Sequence, residues 1–73
     1  MSTIGQRIKN LREKRGMSTN QLAYMIGCNE EQIISWESDK DLPHILQIKP
    51  LSEVLDTTTD YLLRSKDGKN SIK

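Results

Sequence analysis

Two four-residue stretches constrain this chain more than anything else in it. Ser18-Thr19-Asn20-Gln21 and Asn29-Glu30-Glu31-Gln32 each begin with a helix-capping residue and place glutamine three positions on. In such a box the first side chain takes the amide of the third helical residue, and the glutamine reaches back to the capping amide. Each box therefore starts a helix. Leu22, Ala23 and Ile26 supply an apolar face after the first box, and Gly27 follows as a left-handed stop. Ile33 and Trp36 supply the inward face after the second. The spacing predicts helices over 19–26 and 30–38, linked by Gly27-Cys28-Asn29. Two short capped helices on so tight a link form a helix-turn-helix.

The flanks also read as helices. Ile4, Ile8 and Leu11 recur at helical spacing before Gly16, predicting a helix over 3–15. After Pro43, Ile45, Ile48, Leu51 and Leu55 keep the period, but Pro50 falls inside it. An interior proline costs about 3 kcal/mol, whereas the first helical position tolerates it. The fourth helix is therefore expected to kink near Leu46, or to break and restart at Pro50. Thr58 is expected to cap a fifth helix carrying Tyr61, Leu62 and Leu63. Residues 65–73 are polar and expected to be disordered, which sets a domain over 1–64. The expected fold is all-α, a compact bundle of about five short helices.

Size bounds function. A chain of 73 residues buries only about 60% of its unfolded surface. That leaves no room for an active site with its own lid, and no nucleophile–histidine–carboxylate set or phosphate loop is present. No enzyme activity and no cofactor are expected. One cysteine, Cys28, and one histidine, His44, lack the companions a metal site needs. Cys28 is read as a buried, inert thiol. A lone cysteine points to a reducing compartment, hence the cytoplasm. No apolar run reaches the roughly 20 residues of a membrane span, and the start lacks a signal-peptide core.

The net charge of +1 conceals opposed blocks. Residues 1–17 set Arg7, Lys9, Arg12, Lys14 and Arg15 against Glu13, for +4. Residues 18–42 set Lys40 against Glu30, Glu31, Glu37, Asp39 and Asp41, for −4. The next block, 43–63, carries −2, and residues 64–73 carry +3. Basic ends of this kind either form solvated faces or meet a polyanion.

The stretch from Ile4 to Pro43 resembles the phage-repressor/Cro-like (Xre-type) helix-turn-helix family. Leu11-Arg12, Gly16, Leu22-Ala23, Gly27, Ile33, Trp36-Glu37 and Pro43 stand in that family's register. The resemblance implies a domain that binds double-stranded operator DNA as a homodimer, with the third helix in the major groove. It implies that Glu30, Glu31, Gln32 and Ser35 face base edges. It places Ser18, Thr19, Ser38, Lys40 and His44 near the sugar-phosphate backbone. Arg12 and Glu37 correspond to a structural ion pair, and Trp36 to core. The function implied is a bacterial or phage transcriptional repressor. A protein-interaction module that binds another regulator through the acidic third helix is the second reading.

The departures from that family fall on the DNA face. Glu30 and Glu31 stand where polar or basic residues are usual, and Asp39 and Asp41 add negative charge to the following loop. A carboxylate about 6 Å from a phosphate is repelled by roughly 0.7 kcal/mol in water, and by roughly 3 kcal/mol at an effective dielectric of 20. Non-specific affinity is therefore expected to be weak. Glu30 and Glu31 either accept from cytosine amino groups or only favour the helix N-terminus through its dipole. Ile34, about 100° round the third helix from Ile33, is expected to be partly exposed and to pack against the second or fourth helix, with contact to a thymine methyl or to a protein as the other readings. The dimer surface is expected around Tyr61, Leu62 and Leu63. Tyr24 and Tyr61 are either core edges or interface anchors.

Overall fold

The computed structural model describes residues 3–63. The tail over 65–73 and residue 64 lie outside the described residues. Five helices follow in order: α1 (Ile4–Lys14), α2 (Thr19–Ile26), α3 (Glu30–Glu37), α4 (Ile45–Val54) and α5 (Thr59–Leu63). The described residues contain no strand. The all-α bundle expected from the sequence is therefore the fold.

Local chemistry sets most helix ends. The Ser18 hydroxyl accepts from the Gln21 amide at 3.0 Å, and Gln21 Oε1 accepts from the Ser18 amide at 3.0 Å. At α3, Gln32 Oε1 accepts from the Asn29 amide at 3.2 Å. A third box stands at α1, where Thr3 Oγ1 accepts from the Gln6 amide and Gln6 Oε1 accepts from the Thr3 amide. The same four-residue spacing in Thr3-Ile4-Gly5-Gln6 announces it. Thr58 Oγ1 accepts from the Tyr61 amide at 3.0 Å and caps α5. Gly16 and Gly27 follow α1 and α2 with φ of +71° and +80°, a region that glycine enters without a Cβ penalty.

The fourth helix does not break and restart at Pro50. It runs unbroken from Ile45 to Val54 with Pro50 inside it. His44 caps it, its Nδ1 accepting from the Leu46 amide at 3.1 Å. A restart at Pro50 would take Ile48 out of register with Leu51 and Leu55, and all three are buried. Core burial at about 1.5–3 kcal/mol per aliphatic side chain outweighs the one backbone bond that proline removes.

Ile8, Leu22, Ala23, Ile33, Trp36, Ile48, Leu51, Leu55 and Leu62 form the core. α2 and α1 pack on α3, α4 packs on α2, and α5 closes against α1 and α4. Trp36 is core, as read. Leu62 is fully buried, so it is not a surface contact. Tyr61 packs partly buried against the core, whereas Tyr24 is exposed. Leu62→Ala should therefore lower unfolding free energy by about 2–5 kcal/mol in urea titration. A loss below about 0.5 kcal/mol, the size of a surface change, would contradict this placement.

Candidate nucleic-acid interface

The outer side of the helix-turn-helix carries two groups of polar side chains. The first lies where the starts of α2 and α3 meet. The Thr19 hydroxyl donates to Glu30 Oε2 and ties the first residues of the two helices together. This contact consumes the Thr19 proton and orients the Glu30 carboxylate. Among the described residues, the Thr19 and Asn20 amides have no acceptor, because Ser18 serves only Gln21 and Leu22. Open amides at a helix start attract anions, aided by the helix dipole.

The second group lines an open groove between α3 and the start of α4, where Glu31, Gln32, Ser35, His44 and Gln47 meet. Glu31 is exposed and has no partner among the described residues. Gln32 has spent its carbonyl oxygen on the α3 cap, so its NH2 group remains as a donor. The Ser35 carbonyl gathers the following loop, accepting from the Ser38 hydroxyl at 3.2 Å and from the Lys40 amide at 3.0 Å. Ser38 thus spends its proton inside the loop, and Lys40 is exposed on it. The structure brings Glu31, Gln32, Ser35 and His44 to one groove and joins Ser18, Thr19 and Glu30 at another point. Ser38 and Lys40 stand on the loop beside the groove.

Three charges are committed inside the fold, Arg12 in the ion pair expected for it and Arg7 and Asp39 in contacts that were not expected. Arg12 Nε donates to Glu37 Oε2 at 2.6 Å, Nη2 to Glu37 Oε1 at 3.0 Å, and Nη1 to the Met17 carbonyl at 2.7 Å. Hydrogen bonding to Glu37 raises the Arg12 pKa against the opposing effect of burial. Arg7 is buried, donates to the Leu62 carbonyl at 3.1 Å and lies 5.7 Å from the Tyr61 ring centre. Asp39 takes the Thr3 hydroxyl at 2.6 Å and the Gly5 amide at 3.2 Å. It caps α1 from across the fold, adopting φ of +64° to do so. The basic block over 1–17 therefore offers less free positive charge than its sum, and Asp39 repels a phosphate less than its formal charge suggests. The Arg12–Glu37 pair was legible in the sequence; the Arg7 and Asp39 contacts, each spanning more than 30 residues, were not.

Ile34 is 51% exposed, partly exposed as expected, and neither α2 nor α4 covers it fully. Cys28 is half-buried rather than buried as expected, and burial pushes its thiol pKa up. Among the described residues no cluster of three or more His, Cys, Asp or Glu is placed to hold a metal. No described helix is long and apolar enough to cross a membrane.

Residues 5–68 match the family described as helix-turn-helix domain. The HTH-type transcriptional regulator SinR of Bacillus licheniformis is 37% identical over 65 residues, which cover 88% of this chain and 59% of that protein. The chain thus spans somewhat over half the length of this curated relative. The P22 c2 repressor, solved with a synthetic operator, superposes with a TM-score of 0.83 at 30% identity, covering 86% of this chain and 96% of that one. SinR solved with DNA superposes with a TM-score of 0.78 at 35% identity, covering 84% and 98%. Matched over residues 5–68 and folded like these repressor domains, this chain belongs to the helix-turn-helix domain family, in its phage-repressor-like form.

Proposed function

We propose that this chain is a sequence-specific DNA-binding transcriptional regulator, acting as a repressor in the cytoplasm. The observation that carries this reading is the two-sided character of α3. Ile33 and Trp36 anchor it in the core, while Glu31 and Ser35 line an open groove on its other side. An α-helix presented this way fits the major groove. Glu31, Gln32 and Ser35 are the base-facing residues of this reading, with Glu30 beside them. The open amides that follow Ser18, together with Lys40 and His44, approach phosphates. Two copies place their α3 helices about 34 Å apart on a near-palindromic site. Likeness to a repressor solved with operator and to SinR solved with DNA supports DNA as the partner over the protein-module reading.

Selection from random-sequence DNA, followed by salt titration, tests the proposal. A recovered motif with salt-dependent affinity is expected. With Lys40 and the open α2 amides as the phosphate contacts of this reading, a shallow slope is expected, near −2 per protomer if about two phosphates are neutralised at roughly −0.9 each. No enrichment at low salt would overturn the reading.

The structure separates the two glutamates. Glu31 stands free, so Glu31→Gln should change preference at one base pair, by about 1–3 kcal/mol for a base contact. Glu30 is held by Thr19, so Glu30→Gln should raise affinity for all sequences alike, by about threefold or more as one phosphate repulsion is relieved. Comparing motif and affinity for each variant checks both; equal behaviour of the two would refute the distinction.

A further inference from the structure

We propose that Ile34 is a specificity-determining residue that contacts the 5-methyl group of a thymine. This inference rests on the DNA-binding reading and names one base feature within it. Ile34 is the large apolar side chain that α3 leaves half exposed. It stands four residues after Glu30 and three after Glu31, so all three share one side of the helix. Ile33, one position earlier, and Trp36, two positions later, occupy the core instead.

An aliphatic side chain between two carboxylates gains nothing from a phosphate. Thymine's methyl is the one apolar group that a base pair displays in the major groove, and apolar side chains read it there. It lies on the pyrimidine edge next to position 4, where cytosine carries the amino group that a glutamate accepts from. Glu31 and Ile34 are therefore matched to neighbouring pyrimidines: the carboxylate selects an amino group and the isoleucine a methyl. Other exposed apolar residues lack such a placement. Tyr24 and Met25 lie on α2, Leu42, Ile45 and Leu46 on the approach to α4 and its first turn, and Leu63 at the end of α5. Ile34 alone among them belongs to the helix whose partner the proposed function specifies.

Burying one methyl-sized group is worth about fourfold in affinity, which corresponds to about 0.8 kcal/mol. The test replaces each thymine of the selected operator, one at a time, with deoxyuridine, which removes only that methyl. Binding is measured for the wild-type chain and for Ile34→Ala. The alanine variant removes exposed side-chain atoms from a helix, and its circular dichroism and melting curve verify that it folds. The wild type should lose about fourfold at one thymine per half-site. Ile34→Ala should bind the thymine operator about fourfold more weakly and lose nothing further with deoxyuridine at that position. If no thymine matters, or if Ile34→Ala keeps the full deoxyuridine penalty, the inference falls while DNA binding stands. If the wild-type chain binds no DNA in the same titrations, both readings fall together.

Discussion

Gly5→Ala is expected to lower the melting temperature by about 12–32 °C, corresponding to about 3–4 kcal/mol at roughly 4–8 °C per kcal/mol for a domain of this size. In most helices this exchange would stabilise by about 1 kcal/mol, because alanine has the higher propensity. Here α1 crosses the end of α3 at this residue. A Cβ on Gly5 would clash with the Trp36 carbonyl and lie 2.6 Å from Asp39 Oδ1 and 3.0 Å from the Glu37 carbonyl. Two of these three atoms are backbone, so no side chain can turn aside. Relief requires α1 to lift from α3, which strains the core by about 1–3 kcal/mol or more. It also pulls the Gly5 amide off Asp39, at about 1 kcal/mol for a lost cap. Gly16→Ala provides the contrast. Nothing lies within 4 Å of its Cβ position, and only its φ of +71° resists, so a loss near 1 kcal/mol is expected. Thermal melting of the two variants checks the ranking. An unchanged midpoint for Gly5→Ala would contradict the close crossing.

Arg12→Ala should cost about 3–5 kcal/mol, a large part of the roughly 4–11 kcal/mol available to a chain of this length. The pair it breaks is bidentate, with side-chain exposures of 10% for Arg12 and 8% for Glu37. Removing the guanidinium leaves a carboxylate buried without its partner and also strips the Met17 carbonyl of its donor. Glu37→Ala should cost less. Arg12 would keep the Met17 carbonyl and could draw on Glu13, already 3.8 Å away. Replacing both residues with leucine should recover much of the loss, since buried ion pairs often yield to apolar pairs without penalty. Chemical denaturation of the three variants checks this order. Equal losses for Arg12→Ala and a surface change such as Lys9→Ala would refute it. DNA affinity should not respond to the double leucine variant beyond its effect on folding, because neither side chain reaches the groove.

The interface was legible in part. The capping boxes, Gly27 and the Ile33–Trp36 spacing set α2 and α3 and their inward side, so the outward residues Glu31 and Ser35 followed. Periodicity names the buried side of a helix but not the element that covers its edge. For that reason Ile34, at the margin of the inward face, was expected to be partly exposed, and only the packing set that exposure at 51%. Leu62 departs from expectation: in a short terminal helix its neighbours suggested surface, and closure of α5 against α1 and α4 buried it. Glu30 and Thr19 both seemed available to DNA, yet they meet each other, because the α2–α3 crossing brings two helix starts together.

What the sequence determined by itself was local. Helix starts, glycine stops and the five-helix order depend on contacts three or four residues apart, and these operate in any fold containing the segment. The Arg12–Glu37 pair was reached through family register rather than through local spacing. The tertiary structure decided where charge is spent and which apolar groups stay outside. Asp39 caps a helix more than 30 residues earlier, Arg7 donates to a carbonyl 55 residues later, and α4 continues across Pro50. Each outcome balances a local preference worth a few kcal/mol at most against burial or pairing across the bundle. Only the assembled packing supplies the second side of that balance.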